Sequence, residues 1–75
     1  MFDNNPFRRL VGHRIIAHIR KDTWRGRVDA YRDGWLTISG AEYVDEHGTL
    51  PADGSIMLPE SFIDWMQIVD EEESQ

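Results

Sequence analysis

Between Arg14 and Tyr43, apolar residues recur at every second position in three successive runs, separated by Lys21-Asp22-Thr23 and by Asp33-Gly34. A period of two fits half-buried strands and rules out an amphipathic helix over the same span, so the middle of the chain must form a sheet. In the first run Ile15, Ala17 and Ile19 alternate with Ile16, His18 and Arg20. In the second, Trp24, Gly26, Val28 and Ala30 share one face, and Arg25, Arg27, Asp29 and Tyr31 share the other. In the third, Leu36 and Ile38 point inward, while Thr37 and Ser39 point outward. Asp33-Gly34 between two alternating runs marks a hairpin, because a primed turn needs residues that tolerate positive φ. Gly26 inside a strand marks a bend or a close backbone approach, and Gly40 offers a second bend.

The flanks complete a small domain over residues 1–69. Asn5-Pro6, with Phe7, Leu10, Val11 and then Gly12, reads as a short helix over about residues 6–11, N-capped by Asn5 and packed on the open end of a barrel. The strands are expected at about 14–20, 24–32, 35–43, 56–59 and 62–69. Val44 to Ser55 is rich in Asp, Glu, Gly and Pro, and is expected as a surface loop or an extended hairpin tip. Residues 70–75 contain no apolar side chain and are expected to be a disordered acidic tail. The fold class is therefore all-β with one short N-terminal helix, a strongly bent five-stranded barrel.

Size makes that barrel dependent on outside support. A chain of 75 residues buries only about 60% of the surface its unfolded form exposes. It has no cysteine for a disulfide, and His13, His18 and His47 are not spaced as a zinc-ligand set. Oligomerisation is the remaining support. No apolar run is long enough to span a membrane, and the N-terminus lacks the pattern of a signal peptide, so the expected compartment is the cytoplasm.

The formal charge of −6 is divided unequally: residues 1–34 hold all eight Lys and Arg against four Asp, whereas residues 35–75 hold ten acids and no base. Two readings stay open. Either the basic residues are solvated strand positions that pair with acids of the second half, or Arg8, Arg9, Arg32 and their neighbours form a local surface for nucleic acid.

The order of elements resembles that of the Sm-like (LSm) family from Phe7 to Val69. The first family motif is similar to Trp24-Arg25-Gly26-Arg27-Val28, then Tyr31-Arg32-Asp33-Gly34, then Leu36-Thr37-Ile38-Ser39-Gly40-Ala41-Glu42, with one residue fewer at the turn. The second is similar to Ile56-Met57-Leu58-Pro59-Glu60-Ser61-Phe62-Ile63-Asp64-Trp65-Met66. The resemblance implies a divergent bacterial or bacteriophage-type member, forming a ring of about five to seven copies in which the fourth strand of one barrel pairs with the fifth of the next. It places the candidate interface at Ile56, Met57, Leu58, Phe62, Ile63, Trp65 and Met66. It also implies single-stranded RNA at a pore site, for which Tyr31, Arg32, Asp33, Trp35 and Ser61 are the candidates, with Arg8 and Arg9 on the helix. Trp35 stands near the family's Asn position, and Pro59-Glu60 where Arg-Gly would stand.

Nothing in the chain suggests catalysis. Ser39, Ser55 and Ser61 lie in no nucleophile elbow, no carboxylate pair is placed for acid and base work, and no cofactor or metal motif occurs. Asp45-Glu46-His47 with Asp53 lacks the spacing of a calcium loop and reads as a solvated turn. Two functions remain: an RNA-binding module or RNA chaperone, or a ring-shaped assembly scaffold of bacteriophage type that binds protein without RNA.

Overall fold

The computed structural model describes residues 5–70. A 3-10 helix over Pro6–Leu10 leads into β1 (Arg14–Ile19), β2 (Asp22–Arg32), β3 (Trp35–Asp45), β4 (Gly48–Pro51) and β5 (Ile56–Pro59). A second 3-10 turn, Glu60–Phe62, then turns the chain into β6 (Ile63–Ile68). The N-terminal helix starts as expected, with the Asn5 side chain accepting from Phe7 N at 2.8 Å and Pro6 following it. It is a 3-10 helix and ends at Leu10, earlier than expected. Five residues are too few to recover the cost of helix nucleation, so packing of Phe7 and Leu10 on the sheet fixes its form.

All strand pairs are antiparallel, in the order β4-β3-β2-β1-β6, with β5 also paired to β3. Asp33 and Gly34 take φ of 54° and 84°, the left-handed geometry of a primed two-residue turn. Gly26 lies in a bulge, because Arg25 pairs with Glu42 while Arg27 pairs with Ser39. A Cβ at Gly26 would lie 2.9 Å from Ser39 O, so the two strands touch there backbone to backbone. Gly40, opposite the bulge, has φ of 56°. The expected bends at both glycines therefore fall at one place in the sheet.

The strand count differs from the expected five. Of the two forms expected for residues 44–55, the structure has the extended hairpin and not the single loop: Glu46-His47 forms a tight turn, and Gly48–Pro51 returns along β3 from Asp45 to Glu42. β5 then runs along the same edge of β3, from Ile38 to Trp35. Between them Ala52 N donates to Ala41 O at 2.9 Å. β4 and β5 are thus two parts of one broken fourth strand. No alternation of apolar residues announces β4, since all four of its residues are exposed.

The core is Leu10, Ile15, Ala17, Val28, Leu36, Ile38, Ala41 and Leu58. It is small, so each fully buried Ile, Leu or Val, worth about 1.5–3 kcal/mol, is a large share of the total. At the far end of the sheet Val69 N donates to Arg14 O at 2.8 Å. Asp70, expected to begin a disordered tail, is instead held: Oδ1 accepts from Arg14 N at 2.7 Å and Oδ2 lies 2.6 Å from His13 Nδ1. Residues 71–75 of that expected tail lie outside the described residues.

Candidate functional site

The β2–β3 turn and the β5–β6 turn meet at one end of the sheet. Glu60 N donates to Gly34 O at 2.8 Å, and Trp35 pairs with Pro59 across the strands. The Tyr31 hydroxyl donates to Glu60 Oε1 and accepts from Asn5 Nδ2 at 3.0 Å. The Tyr31 ring stacks on Phe7 at 5.8 Å between centroids, and the Arg8 guanidinium carbon lies 5.2 Å from its centre. Helix, hairpin and second turn are latched through this one phenol. The hydrogen bond to Glu60, with burial next in weight, holds the Tyr31 hydroxyl above its usual pKa of 10.0, although the Asn5 bond and the Arg8 charge act the other way.

Of the residues placed in the RNA site by sequence, the structure gathers Tyr31, Arg32, Asp33, Trp35 and Arg8 around this latch. Arg32 pairs with Trp35 at the hairpin end, both are exposed, and Trp35 keeps 43% of its surface in solvent. Asp33 forms the turn with its side chain outward. Arg9 is exposed on the helix, and Ser61 is exposed in the 3-10 turn. Sequence reasoning missed Asn5, Phe7 and Glu60 as partners of Tyr31. Asn5 had a visible role as N-cap, but its second bond, 26 residues away in the chain, leaves no local signature.

The interface candidates separate into two sets. Leu58 is buried, and Ile56, Ile63 and Met66 pack against the chain's own core. Met57, Phe62 and Trp65 are exposed, and Ile68 joins them. Phe62 carries the Arg20 guanidinium 4.3 Å from its ring centre, and Trp65 stacks on His18 at 3.8 Å with 21° between the planes. β5 pairs only with β3 and β6 only with β1, so among the described residues no strand occupies the outer edge of either. Beside the inner face of β6, Pro6, Phe7, Leu10, Met66 and Ile68 line an apolar groove of about 200 Å³.

Among the described residues there is no group of three or more His, Cys, Asp or Glu placed to hold a metal, and no helix is long and apolar enough to cross a membrane.

Solved structures match this geometry closely. A heptameric archaeal Sm protein, considered for its implications for the eukaryotic snRNP core, matches with a TM-score of 0.71 at 14% identity, over 81% of this chain and 91% of that one. The SmAP1 heptamer of P. aerophilum matches with a TM-score of 0.76 at 13% identity, over 95% of this chain and 100% of that one. The chain has the Sm fold. An Sm-like protein of Archaeoglobus fulgidus agrees, with a TM-score of 0.72 at 17% identity over 92% of this chain and 96% of that one. By sequence the chain matches no protein-family model and no curated protein. In the Sm fold described here the broken fourth strand and the last strand end the sheet, and the latch closes one end of it.

Proposed function

We propose that this chain is a non-enzymatic subunit of a closed ring of identical copies, and that the ring is a single-stranded RNA-binding module or RNA chaperone. The observation that carries the ring is the pair of unpaired edges. β5 and β6 expose their outer hydrogen-bonding groups together with Met57, Phe62, Trp65 and Ile68. Soluble proteins do not leave such edges uncovered, and a second copy supplies the complementary edge for each. The heptameric assembly of two similar solved structures supports the same reading.

RNA is the ligand favoured by the fold likeness and by the exposed Arg8, Arg9, Arg32 and Trp35 around the latch. Arginine supplies phosphate contacts, and Trp35 a stacking plane. Tyr31, whose hydroxyl and ring already have partners within the chain, acts here as support for that surface. A second reading, the protein scaffold, is favoured by one observation: Glu60 brings a carboxylate into the latch, where it repels phosphate.

Light-scattering mass combined with anisotropy of labelled oligouridine and oligoadenine tests both parts. The expected result is a mass several times 8.8 kDa and salt-dependent binding of at least one oligonucleotide. A single-chain mass at micromolar concentration refutes the ring. A ring that binds neither RNA at low salt refutes the RNA module and supports the scaffold.

A further inference from the structure

The sequence contains two Asp-Gly steps, Asp33-Gly34 and Asp53-Gly54. An aspartyl side chain followed by glycine is open to attack on its own carboxyl carbon by the next backbone nitrogen, because glycine has no Cβ to crowd that nitrogen. In a folded chain the reaction occurs only where the peptide can turn towards the side chain. At both glycines a Cβ would meet nothing within 4 Å, so crowding does not separate the two steps. Their backbones do.

Asp33-Gly34 is the tight β2–β3 turn, closed by the pairing of Arg32 with Trp35, with φ of 54° and 84°. Gly34 O also accepts from Glu60 N at 2.8 Å, so rotation of this turn would pull on the latch. Asp53-Gly54 instead lies in the break of the fourth strand, in neither β4 nor β5. Both residues are exposed. Among the described residues no backbone carbonyl accepts from Gly54 N, and no hydrogen bond holds the Asp53 carboxylate. The backbone anchors on either side are Ala52 N on Ala41 O at 2.9 Å and the pairing of Ile56 with Ile38.

We infer that Asp53-Gly54 is a site of spontaneous backbone isomerisation in the folded protein, and that the fold spares Asp33-Gly34. Gly54 N bonds to Asp53 Cγ, and the side-chain hydroxyl leaves with the amide proton as water, closing a succinimide. Water then adds to either of the ring carbonyls. Opening at Cγ restores aspartate, whereas opening at the main-chain carbonyl frees the α-carboxylate and routes the backbone through Cβ and Cγ. The product is an isoaspartyl isomer of unchanged mass with the Cβ inserted into the main chain, reached with water alone. Ala52 to Ser55 already face only Ser39 to Ala41 between the pairs Pro51–Glu42 and Ile56–Ile38, so the added length falls at the start of β5. β5 is one of the edges on which the proposed ring rests, but the reaction lies within a single dipeptide and does not depend on that reading.

The test incubates the full chain in water enriched in heavy oxygen, folded and in urea, and reads label at Asp33 and Asp53 separately by peptide mass spectrometry. Each passage through the succinimide leaves heavy oxygen in the residue. The expected result is label at Asp53 alone in the folded chain and at both residues in urea. Asp53→Glu should lose the label at that position. Asp53→Asn, whose uncharged amide is open to attack at neutral pH and releases ammonia in place of water, should form the same product several times faster. The far-UV spectrum of each variant should match that of the parent chain. Amide exchange at Ala52 and Ile56 should be faster in the isoaspartyl fraction than in the fresh chain. A folded chain in which Asp33 and Asp53 label at equal rates, or in which neither labels while both do in urea, overturns the inference. An isoaspartyl fraction with the exchange of the fresh chain overturns its effect on β5.

Discussion

The central hairpin and the strands that end the sheet hold their places by different means. β2 and β3 are hydrogen-bonded on both sides and contribute Gly26, Val28, Leu36, Ile38 and Ala41 to the buried interior. β6 is bonded on one side and has no buried residue. β5 buries only Leu58. One region is bonded on both sides within the chain, while among the described residues the other has a strand neighbour on one side alone. Stability should therefore respond to the centre, and assembly to the ends.

The sharpest way to break that contrast is at Gly26. The valine of Gly26→Val would press on Ser39 O at 2.9 Å, and on Ala41 Cα and Ile38 Cδ1 at 3.3 Å. It should cost about 3 kcal/mol in urea unfolding despite the better strand propensity of valine. An unchanged midpoint would show that β2 and β3 can separate there. At the other extreme, Met57→Asp places a charge in the middle of the exposed β5 edge. Association should weaken at least about tenfold, near 1.4 kcal/mol, with the far-UV spectrum retained. Loss of the folded spectrum with no change in mass would reverse the assignment of the two regions.

The latch belongs to neither region and joins both. Tyr31→Phe keeps the ring on Phe7 and removes the bond to Glu60, so its melting temperature should fall by less than that of Gly26→Val. Because the folded hydroxyl titrates above its usual 10.0, this contribution is present at neutral pH. It should vanish as pH rises through the folded value. A Tyr31→Phe variant with the alkaline profile of the parent chain would remove the latch from the account.

The smallest effect is expected at Asp70. The Arg14 N–H first, and the His13 ring second, hold this carboxyl below its usual 3.8. The stabilisation exists above that value and is lost as pH falls through the lower folded one. Acid unfolding curves of the parent chain and Asp70→Asn should therefore separate near neutral pH and converge at the acid end. Parallel curves throughout would show that the end of β6 is not anchored there.

What could be read from sequence follows the same division. The alternation of Ile15 with Ala17 and of Leu36 with Ile38, the Asp33-Gly34 turn and the bends at Gly26 and Gly40 are local statements, and each has its counterpart in the structure. β4 was not legible, because an exposed strand beside a long one has no pattern of its own and exists through its partner's free hydrogen-bonding groups. The Tyr31–Glu60 bond joins residues 29 apart, and the anchoring of Asp70 joins residues 57 apart. Composition showed the acids without showing what each one touches. For the candidate site, the sequence brought Tyr31, Arg32, Asp33 and Trp35 together as neighbours in the chain. That Asn5, Phe7 and Glu60 converge on the same phenol is a property of the fold alone.

The hydrogen bond between Val69 and Arg14 places the last stretch of the sheet against the first. β1 and β6 are thus neighbours in the sheet although they lie far apart in the chain. A linker from Asp70 back to Asn5, with new termini opened at the exposed Glu46-His47 turn, would keep every strand beside its present neighbour. The same adjacency allows two copies to be translated as one tandem polypeptide, so that the number of chains in an assembly and the number of folded units in it become separate choices.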